Sequence, residues 1–392
     1  MASIQVKGTR RYTPAEVSRL SGIEIGKPAT VADLTAAANR LAATGLFDSV
    51  KYSYTTAGRQ LAVTFEIEEA AWTMPVVLDN FVWMTDEEVI AAVRQDVPSF
   101  DGTAPLNAGA ADSLTRALQT MLKGRSIPGR IDFTTSVDLK GGRPKYVFSV
   151  KDPSPKVCAL HVVGASAISE RDLLEPLGAI VGGDYSRLFV TTASAGTLVD
   201  MYRRRGHWRA AFSPPSVTVG GCEGVSVTLN VTEGSAYAWD RAVWSGNAAL
   251  VPVALDALLG MKPGEVADVT RIEAGLGKVA EAYGKQGHIL EHTSFQPRLD
   301  DGQRRAAFQI AVDEGSQFHM GSLEFVGITD SDANTLQKKW RLKAGDVYDA
   351  SYAKRYQFEE LYPLRTRAGG RASVETNIDP DRKIVNLRVV FK

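Results

Sequence analysis

The chain has 392 residues, and its 45 basic side chains balance 45 acidic ones, so the formal net charge is zero. A hydrophobic content of 44% and a charged content of 23% are typical of a folded protein and exclude long disorder. The charge balance argues against a generally basic nucleic-acid-binding protein. No apolar run reaches the roughly 18 residues of a membrane-spanning helix. The first residues also lack the basic and apolar segments of a signal peptide.

The first 69 residues predict the order strand, helix, helix, strand, strand. Residues 4–8 alternate as a short strand. Thr13 is a helix N-cap followed by a proline and an early glutamate, and Thr30 caps a second helix. Two alternating strands, at 50–54 and 61–67, then form a hairpin. The apolar stripe of the second helix consists of Leu34, Ala37, Ala38 and Leu41.

The same order recurs along the chain. Gly164, Gly246 and Gly327 each follow a predicted strand and lie about 80 residues apart. We therefore predict an α+β fold: a string of five small β-α-α-β-β modules, each a three-stranded mixed sheet covered on one face by two helices. The predicted modules span residues 3–69, 72–152, 156–234, 238–315 and 318–392.

The second module, residues 72–152, is the divergent copy. Asn80 and Phe81 stand where the other modules have the glycine after their first strand. The loop between its predicted helices, from Pro98 to Pro105, is longer than in the other copies.

This pattern resembles the POTRA domain, a periplasmic module of outer-membrane assembly and two-partner secretion proteins. The resemblance is carried by Val6-Lys7-Gly8, by the loop Ile25-Gly26-Lys27-Pro28 and by the stretch from Leu41 to Val50. That stretch resembles the family phrase L-x-x-x-G-x-F-x-x-V. The resemblance is strongest in residues 3–69, covers nearly the whole chain and is weakest in 72–152.

The resemblance implies the periplasmic region of an outer-membrane protein assembly factor, located at the periplasmic face of the outer membrane. Its implied partners are unfolded outer-membrane proteins, accessory assembly lipoproteins and an adjoining C-terminal transmembrane barrel. Neither a cofactor nor a nucleic-acid partner is implied. Because the chain stops at Lys392, within the last predicted strand, we expect it to be an excised piece of a longer protein or a barrel-less relative.

Two other functions stay open at this point. The chain could be a barrel-less POTRA scaffold for protein–protein interactions in the envelope, docking folded partners without touching unfolded clients. It could also be the POTRA arm of a translocation or secretion porin.

Client binding is expected at the edges of the small sheets, because an unpaired strand edge offers N–H and C=O groups to an extended chain. The final strand of each module is the most apolar and should be central, which leaves the preceding strand at an edge. In the third module we predict that edge at residues 208–212, with Trp208, Ala210 and Phe212 as the client-binding residues. The alternative is that these rings pack under the module's own helices.

The two cysteines belong to the third module. Cys158 lies at the start of its first strand and Cys222 just before its last strand. In a β-α-α-β-β fold these strands should lie side by side and parallel, so a disulfide is possible in an oxidising periplasm.

One catalytic motif is present as a string of letters. Residues 288–292 read H-x-x-E-H, the inverted zinc-protease signature. The run follows Gly287 and enters a strand, where residues four apart are roughly 13 Å apart and cannot share one zinc ion. We therefore predict a binding protein without catalytic residues or a metal site.

Overall fold

The computed structural model describes residues 1, 3–58, 60–137, 143–361 and 372–391. Residues 138–142 of the predicted second module, and residues 362–371 and Lys392 of the fifth, lie outside that part. Tertiary contacts divide the chain into two compact units. The first unit comprises Met1–Ala165, Ser169–Gly196 and Phe212–Val231. The second unit comprises Ser166–Ile168, Thr197–Ala211 and Thr232–Lys392.

The described strands and helices follow the predicted order, apart from two added strands and a third α-helix in the third module. The strands are β1 Ser3–Lys7, β2 Phe47–Ala57, β3 Gln60–Glu69, β4 Trp72–Leu78, β5 Thr103–Pro105, β6 Arg130–Ser136, β7 Lys145–Lys151, β8 Val157–Val163, β9 Ala211–Phe212, β10 Ser216–Val219, β11 Val225–Thr232, β12 Ala238–Ser245, β13 His292–Asp300, β14 Arg305–Asp313, β15 His319–Val326, β16 Ala372–Asp379 and β17 Ile384–Phe391. The α-helices are α1 Pro14–Ser21, α2 Val31–Ala43, α3 Asp86–Val93, α4 Ala108–Gly124, α5 Glu170–Leu174, α6 Arg187–Ala193, α7 Val199–Arg203, α8 Pro252–Leu259, α9 Val269–Lys285, α10 Asp330–Lys339 and α11 Ala350–Tyr356.

The strands form five small sheets, and each sheet takes its strands from one predicted module. The strand orders are β1-β3-β2, β5-β4-β7-β6, β10-β11-β8, β12-β14-β13 and β15-β17-β16. In each module the last strand is central and runs parallel to the first strand and antiparallel to the one before it. The α+β class is confirmed.

Two sheets have four strands instead of the predicted three. In the second module the long loop between the helices contributes β5, which pairs antiparallel with β4. The fourth strand of the third sheet is the two-residue β9. Short extra pairings of this kind satisfy backbone groups that a loop would otherwise leave to solvent.

The helix starts are fixed locally, as the sequence predicted. Thr13 and Glu16 form a reciprocal capping box, in which the Glu16 carboxylate accepts the Thr13 backbone N–H at 2.7 Å. Thr30 and Asp33 repeat this arrangement at α2. Each such cap stabilises its helix by about 1 kcal/mol.

The core of the first module is built from the predicted stripe. Leu34, Ala37 and Leu41 on α2 are fully buried, as are Phe65 and, almost fully, Val63 on the central strand β3. The cluster to which they belong continues without a break into the second module, as far as Val150 of β7. The first two modules therefore share one hydrophobic core.

A glycine ends the first strand of four modules for a steric reason. At Gly246 the backbone φ is +78°, and a Cβ atom would lie 2.1 Å from the carbonyl oxygen of Val312 on the central strand β14. The same conflict arises in the first, third and fifth modules, at Gly8, Gly164 and Gly327. Only a residue without a side chain fits this approach.

A glutamate at the end of the hairpin then holds the loop that follows the glycine. In the fourth module Glu314 accepts the backbone N–H groups of Ala248 and Ala249 at 2.6 and 2.8 Å. Glu69 and Glu233 do the same in the first and third modules. Burial raises the pKa of Glu233, but hydrogen bonds from Ser166 and Ala167 outweigh it and lower the pKa to about 2.

The second module ends its first strand differently. Asn80 is almost fully buried, and its side-chain oxygen accepts the backbone N–H of Val150 at 2.7 Å. Its side-chain nitrogen donates to the Val150 carbonyl at 3.0 Å. The side chain thus pairs with the central strand β7 where the other modules have a bare Cα.

Candidate functional site

The candidate sites are the free edges of the five sheets. In each module the strand before the central one lies at an edge: β2, β6, β10, β13 and β16. No described strand pairs with the outer sides of these strands. Their outward N–H and C=O groups can therefore accept an extended chain by strand addition.

The edge of the first module is the longest, since β2 extends over 11 residues. Tyr52 lies on the helix-covered face, where its hydroxyl group is 2.7 Å from the Thr35 hydroxyl group of α2. On the other face Lys51 lies opposite Glu66. A lysine on an edge strand opposes edge-to-edge pairing with other sheets. This edge is therefore long but partly protected against aggregation.

The edge of the fourth module is interrupted by a proline. Pro297 lies in the middle of β13, opposite Phe308 of the central strand β14. Proline has no backbone N–H and is tolerated only where none is needed, at sheet edges or bulges. This edge therefore offers an incomplete set of donors.

In the third module only the end of the predicted strand at residues 208–212 is a strand. Trp208 lies in a turn after α7, Ala210 is buried outside any strand, and β9 covers only Ala211 and Phe212. The alternating apolar residues predicted a longer strand than is present, because alternate residues of a turn can also point into a core.

The Trp208 side chain belongs to the packing of the second unit. Its indole N–H donates to the Ala267 carbonyl at 2.7 Å. Its ring meets Phe308 edge-on, with the centroids 5.0 Å apart. The ring is therefore packed, which is the alternative to an edge-strand role, and the guanidinium of Arg203 on α7 lies 5.8 Å from the ring centroid. The ring packs against the fourth module, and an extended client cannot use the same surface of the indole.

A polar network lies next to this ring. The guanidinium of Arg209 donates to the Asp301 carboxylate at 2.9 and 3.1 Å, and the Tyr237 hydroxyl donates to the same carboxylate. The hydrogen bond from Tyr237, followed by that from Arg209, lowers the pKa of Asp301. The segment 208–209 is therefore held by hydrogen bonds within the second unit.

The edge strand that the sequence reading missed is β10. It pairs antiparallel with β11, from Ser216 opposite Thr228 to Val219 opposite Val225. The signal was present, because Ser216 to Val219 alternate between polar and apolar residues, three of them β-branched, between Pro214-Pro215 and Gly220-Gly221. Residues 208–212, before the prolines, are more hydrophobic than β10 and therefore gave the stronger strand signal.

The two cysteines are bonded in the structure. The Cα atoms of Cys158 and Cys222 are 6.3 Å apart, within the range that a disulfide spans. Cys158 lies in β8, and Cys222 precedes β11, the strand that pairs with β8 in parallel. The bond closes the starts of these two strands.

The histidines of the H-x-x-E-H run have separate structural surroundings. The Nδ1 atom of His288 is 3.1 Å from the Glu314 carbonyl oxygen, in the turn before β13. His292 is the first residue of β13. Within the described ranges, no group of three or more His, Cys, Asp or Glu side chains is arranged to hold a metal ion. None of the described helices has the length and apolar character needed to cross a membrane.

Comparisons with known proteins found a family match at the start of the chain and a similar protein over most of it. Residues 1–70 match the family model described as "POTRA: Surface antigen variable number repeat". Over 367 residues, 90% of the chain, the sequence is 22% identical to the "Outer membrane protein assembly factor BamA" of Neisseria meningitidis serogroup B. The chain spans 45% of the length of that relative.

Two solved structures are also similar. The crystal structure of Haemophilus influenzae BamA POTRA3-5 has 22% sequence identity and a TM-score of 0.46, covering 61% of this chain and 96% of that one. The N-terminal domain of Omp85 from Thermosynechococcus elongatus has 17% identity and a TM-score of 0.28, covering 62% of this chain and 98% of that one. Residues 1–70 thus match the POTRA family model, and the chain as a whole is similar to an outer membrane protein assembly factor.

Proposed function

We propose that the chain is the periplasmic region of an outer-membrane protein assembly factor and that it binds extended segments of unfolded outer-membrane proteins by strand addition. The observation that carries this proposal is the repeated free edge: β2, β6, β10, β13 and β16 each have one unpaired side within the described residues. A receptor for many clients needs recognition that does not depend on client sequence. Backbone hydrogen bonds provide it.

Several weak edges on one chain suit such a role better than one strong site. A short strand pairing is marginal by itself, since isolated two-stranded ribbons are barely stable in water. Linked weak sites raise the effective concentration of a long client at the neighbouring edges. The zero net charge also favours backbone pairing over bulk electrostatic attraction as the source of affinity.

We further propose that the chain lies at the periplasmic face of the outer membrane and docks accessory assembly lipoproteins. The Cys158–Cys222 disulfide supports an oxidising compartment, because disulfides are rare in reducing ones. A scaffold that binds only folded envelope proteins is the competing function. It predicts that unfolded peptides are not captured at the strand edges.

Backbone methylation of a peptide tests strand addition directly. The probe is a synthetic peptide of about ten residues that alternates threonine and valine, with lysine at both ends and a central phenylalanine. Two further versions carry N-methyl groups on either the odd or the even residues. In a strand only alternate N–H groups face the partner, so one version should bind at least about tenfold more weakly and the other should bind normally.

The full chain is titrated with each peptide by fluorescence anisotropy, and hydrogen exchange locates the protected strands. Protection of edge strands together with the odd–even asymmetry would support strand addition. Equal binding of both methylated versions, or binding only of folded partner proteins, would overturn it.

A further inference from the structure

A groove of about 920 Å³ lies in the second unit, between α9 of the fourth module and α11 of the fifth. The two helices contact each other beside it, since a Cβ atom on Gly284 would lie 3.5 Å from the Cβ atom of Ala350. Both of these residues line the groove. Its volume is at the upper end of the range for ligand pockets, so it can hold several side chains of a partner.

Most of the groove surface is apolar. Gly277 and Ala280 give α9 a low, exposed face, and a Cβ atom on Gly277 would have no described neighbour within 4 Å. Phe358, in the π-helical turn that continues α11, is 72% exposed. Leu361, which is buried, and Val374, which is half-buried, also line the groove. An exposed apolar groove of this kind is stabilised when a partner covers it.

The two helices carry opposite charges along the groove. Glu281 lies on α9, about one turn from Gly284, and Lys354 lies on α11, about one turn from Ala350. Both side chains line the groove, and neither forms an ion pair or hydrogen bond with any residue that the structure describes. The groove therefore has an acidic rim on α9 and a basic rim on α11 that do not neutralise each other.

The other ionisable side chains of the lining have partners within the protein. The carboxylate of Glu291 accepts the hydroxyl of Thr293. The Nδ1 atom of His288 is 3.1 Å from a backbone carbonyl oxygen. The guanidinium of Arg355 lies 5.8 Å from the centroid of the Tyr352 ring and adds to the basic rim. The charges left for a partner are thus one carboxylate on α9 and the cations on α11.

The elements around the groove favour a helical occupant over an extended one. Apart from the turn before β13 and Val374 of β16, the lining comes from helices, whose backbone groups are hydrogen-bonded along their own axes. An extended chain in this groove would bury N–H and C=O groups without partners, whereas a helix satisfies its own. Small residues such as Gly277 and Ala280 let the side chains of another helix approach α9 closely.

We propose that the groove binds an amphipathic helix of a partner protein, whose apolar stripe covers Gly277, Ala280 and Phe358. One flank of that helix carries a basic residue beside Glu281, and the other carries an acidic residue beside Lys354. A helix or amphiphile with a single sign of charge would meet repulsion at one rim. This surface is separate from the free strand edges, so the inference goes beyond strand addition and does not depend on it.

The test uses three designed helical peptides of about 18 residues, or five turns. They share a stripe of alanine and leucine at helical spacing and are stapled on the outer face, so that all three are equally helical by circular dichroism. The mixed peptide has lysine on one flank and glutamate on the other. The basic peptide has lysine on both flanks, and the acidic peptide has glutamate on both. By fluorescence anisotropy, the full chain should bind the mixed peptide at least about threefold more tightly than either other peptide.

Reversal of one rim charge should reverse this preference. Glu281→Lys makes both rims basic, so the acidic peptide should become the tightest binder. Lys354→Glu should weaken binding of the acidic peptide and strengthen that of the basic one. A variant that merely failed to fold could lose affinity but could not gain affinity for a different peptide, so the reversal reports contact with the rims.

Gly277→Leu tests the apolar surface of the groove. Leucine favours a helix more than glycine, and the space around Gly277 is open, so the variant should fold at least as stably as the original chain. Its side chain would occupy the groove and should weaken binding of the mixed peptide at least about tenfold. Lys278→Leu is the matched control. It adds a leucine at an exposed position of the same helix, outside the lining, and should change binding less than about twofold.

A mixed peptide with benzoylphenylalanine in its apolar stripe should crosslink to α9, α11 or Phe358. Crosslinks confined to edge strands such as β16, equal affinity for the three peptides, or equal effects of Gly277→Leu and Lys278→Leu would overturn the proposed helix site. The threonine–valine peptides used to test strand addition should bind Gly277→Leu as they bind the original chain. Their odd–even effect decides the proposed function separately from the groove.

Discussion

The fourth and second modules end their first strands at equivalent positions but with different residues. In the fourth module Gly246 presents a bare Cα to the carbonyl of Val312, the second residue from the end of the central strand β14. In the second module Asn80 makes two hydrogen bonds to Val150, the second residue from the end of β7. One solution removes the side chain, and the other uses it as an extension of the sheet.

The difference changes what the following loop can do. After Gly246 the loop is held against its own module by Glu314, through two backbone N–H groups. After Asn80 comes the apolar run from Phe81 to Met84, which lines a cleft beside β10. A divergent copy of a repeat can thus keep the fold at one residue and gain a new surface at the next.

The largest expected effect concerns the third module. There Gly164 ends the first strand, and a disulfide joins the starts of the first and last strands. Replacing Cys158 and Cys222 together by alanine removes a crosslink between residues 64 apart. Chain entropy predicts a loss of about 4 kcal/mol from the free energy of opening this module. Native-state hydrogen exchange of β11 measures it.

The control for this prediction is the reductant. A reducing agent should lower the protection of β11 in the original chain and should leave the double variant unchanged. Equal protection of β11 in all samples would show that the disulfide does not stabilise the pairing of β8 with β11.

Gly246→Ala should destabilise the fourth module by about 3 kcal/mol, because the Cβ atom meets a backbone carbonyl and the left-handed conformation is strained. Gly264→Ala is the matched control. Gly264 has a φ of +89° but open space around it, so only the conformational cost of about 1–2 kcal/mol remains. Hydrogen exchange of β14 measures both variants. Equal losses would show that the approach to Val312 is not the reason for glycine.

Asn80→Ala should cost about 2 kcal/mol, because it leaves the buried N–H of Val150 without a partner and its carbonyl with only the long hydrogen bond from Ser154, at 3.3 Å. The effect should appear as faster hydrogen exchange in β7. Asn247→Ala, which removes one half-buried hydrogen bond to Leu250, should cost less than about 1 kcal/mol. If the two variants were equally stable, the hydrogen bonds of Asn80 would contribute no more to stability than the single hydrogen bond of Asn247.

The smallest effect separates the modules by pH. The pKa of Glu233 is lowered from 4.5 to about 2 in the folded protein, so its stabilisation is complete above about pH 4.5. It should be lost as the pH falls from about 4.5 to 2, with lower protection factors for hydrogen exchange at Ser166 and Ala167. Glu233→Gln should remove this pH dependence at a cost of about 1 kcal/mol at pH 7.

Asn80 has no ionisable group, so the second module provides an internal reference for the pH dependence at Glu233. Exchange in the peptide that contains Val150 should show no matching change over the same pH range. A parallel change there would indicate general acid unfolding instead of titration of Glu233.

Features that depend on local chemistry were predictable from the sequence. The capping box of Thr13 and Glu16 involves residues three apart, and the stripe from Leu34 to Leu41 lies on one helix. The glycine repeat predicted the sheet plan for the same reason, since the strain at a positive φ is a property of a single residue. Neighbours in the chain decide all of these features.

The site depended on partners that are distant in sequence. Trp208 alternates with Ala210 and Phe212 as an edge strand would, but its indole N–H finds the carbonyl of Ala267, 59 residues away. Trp83 and Val217 line one cleft in the first unit, although they belong to different modules of the repeat. Periodicity reports which side chains avoid water, but not which neighbour covers them.

The amino-acid sequence by itself determined the repeat, the class of fold and the position of each central strand, because apolar alternation and cap chemistry act within a few residues. Tertiary structure alone decided that β10 is the free edge and that Trp208 is committed to packing in the second unit. It also decided that the loop after Asn80 forms a cleft beside β10. Edges and clefts are defined by what remains uncovered once the modules pack, and no local pattern encodes that remainder.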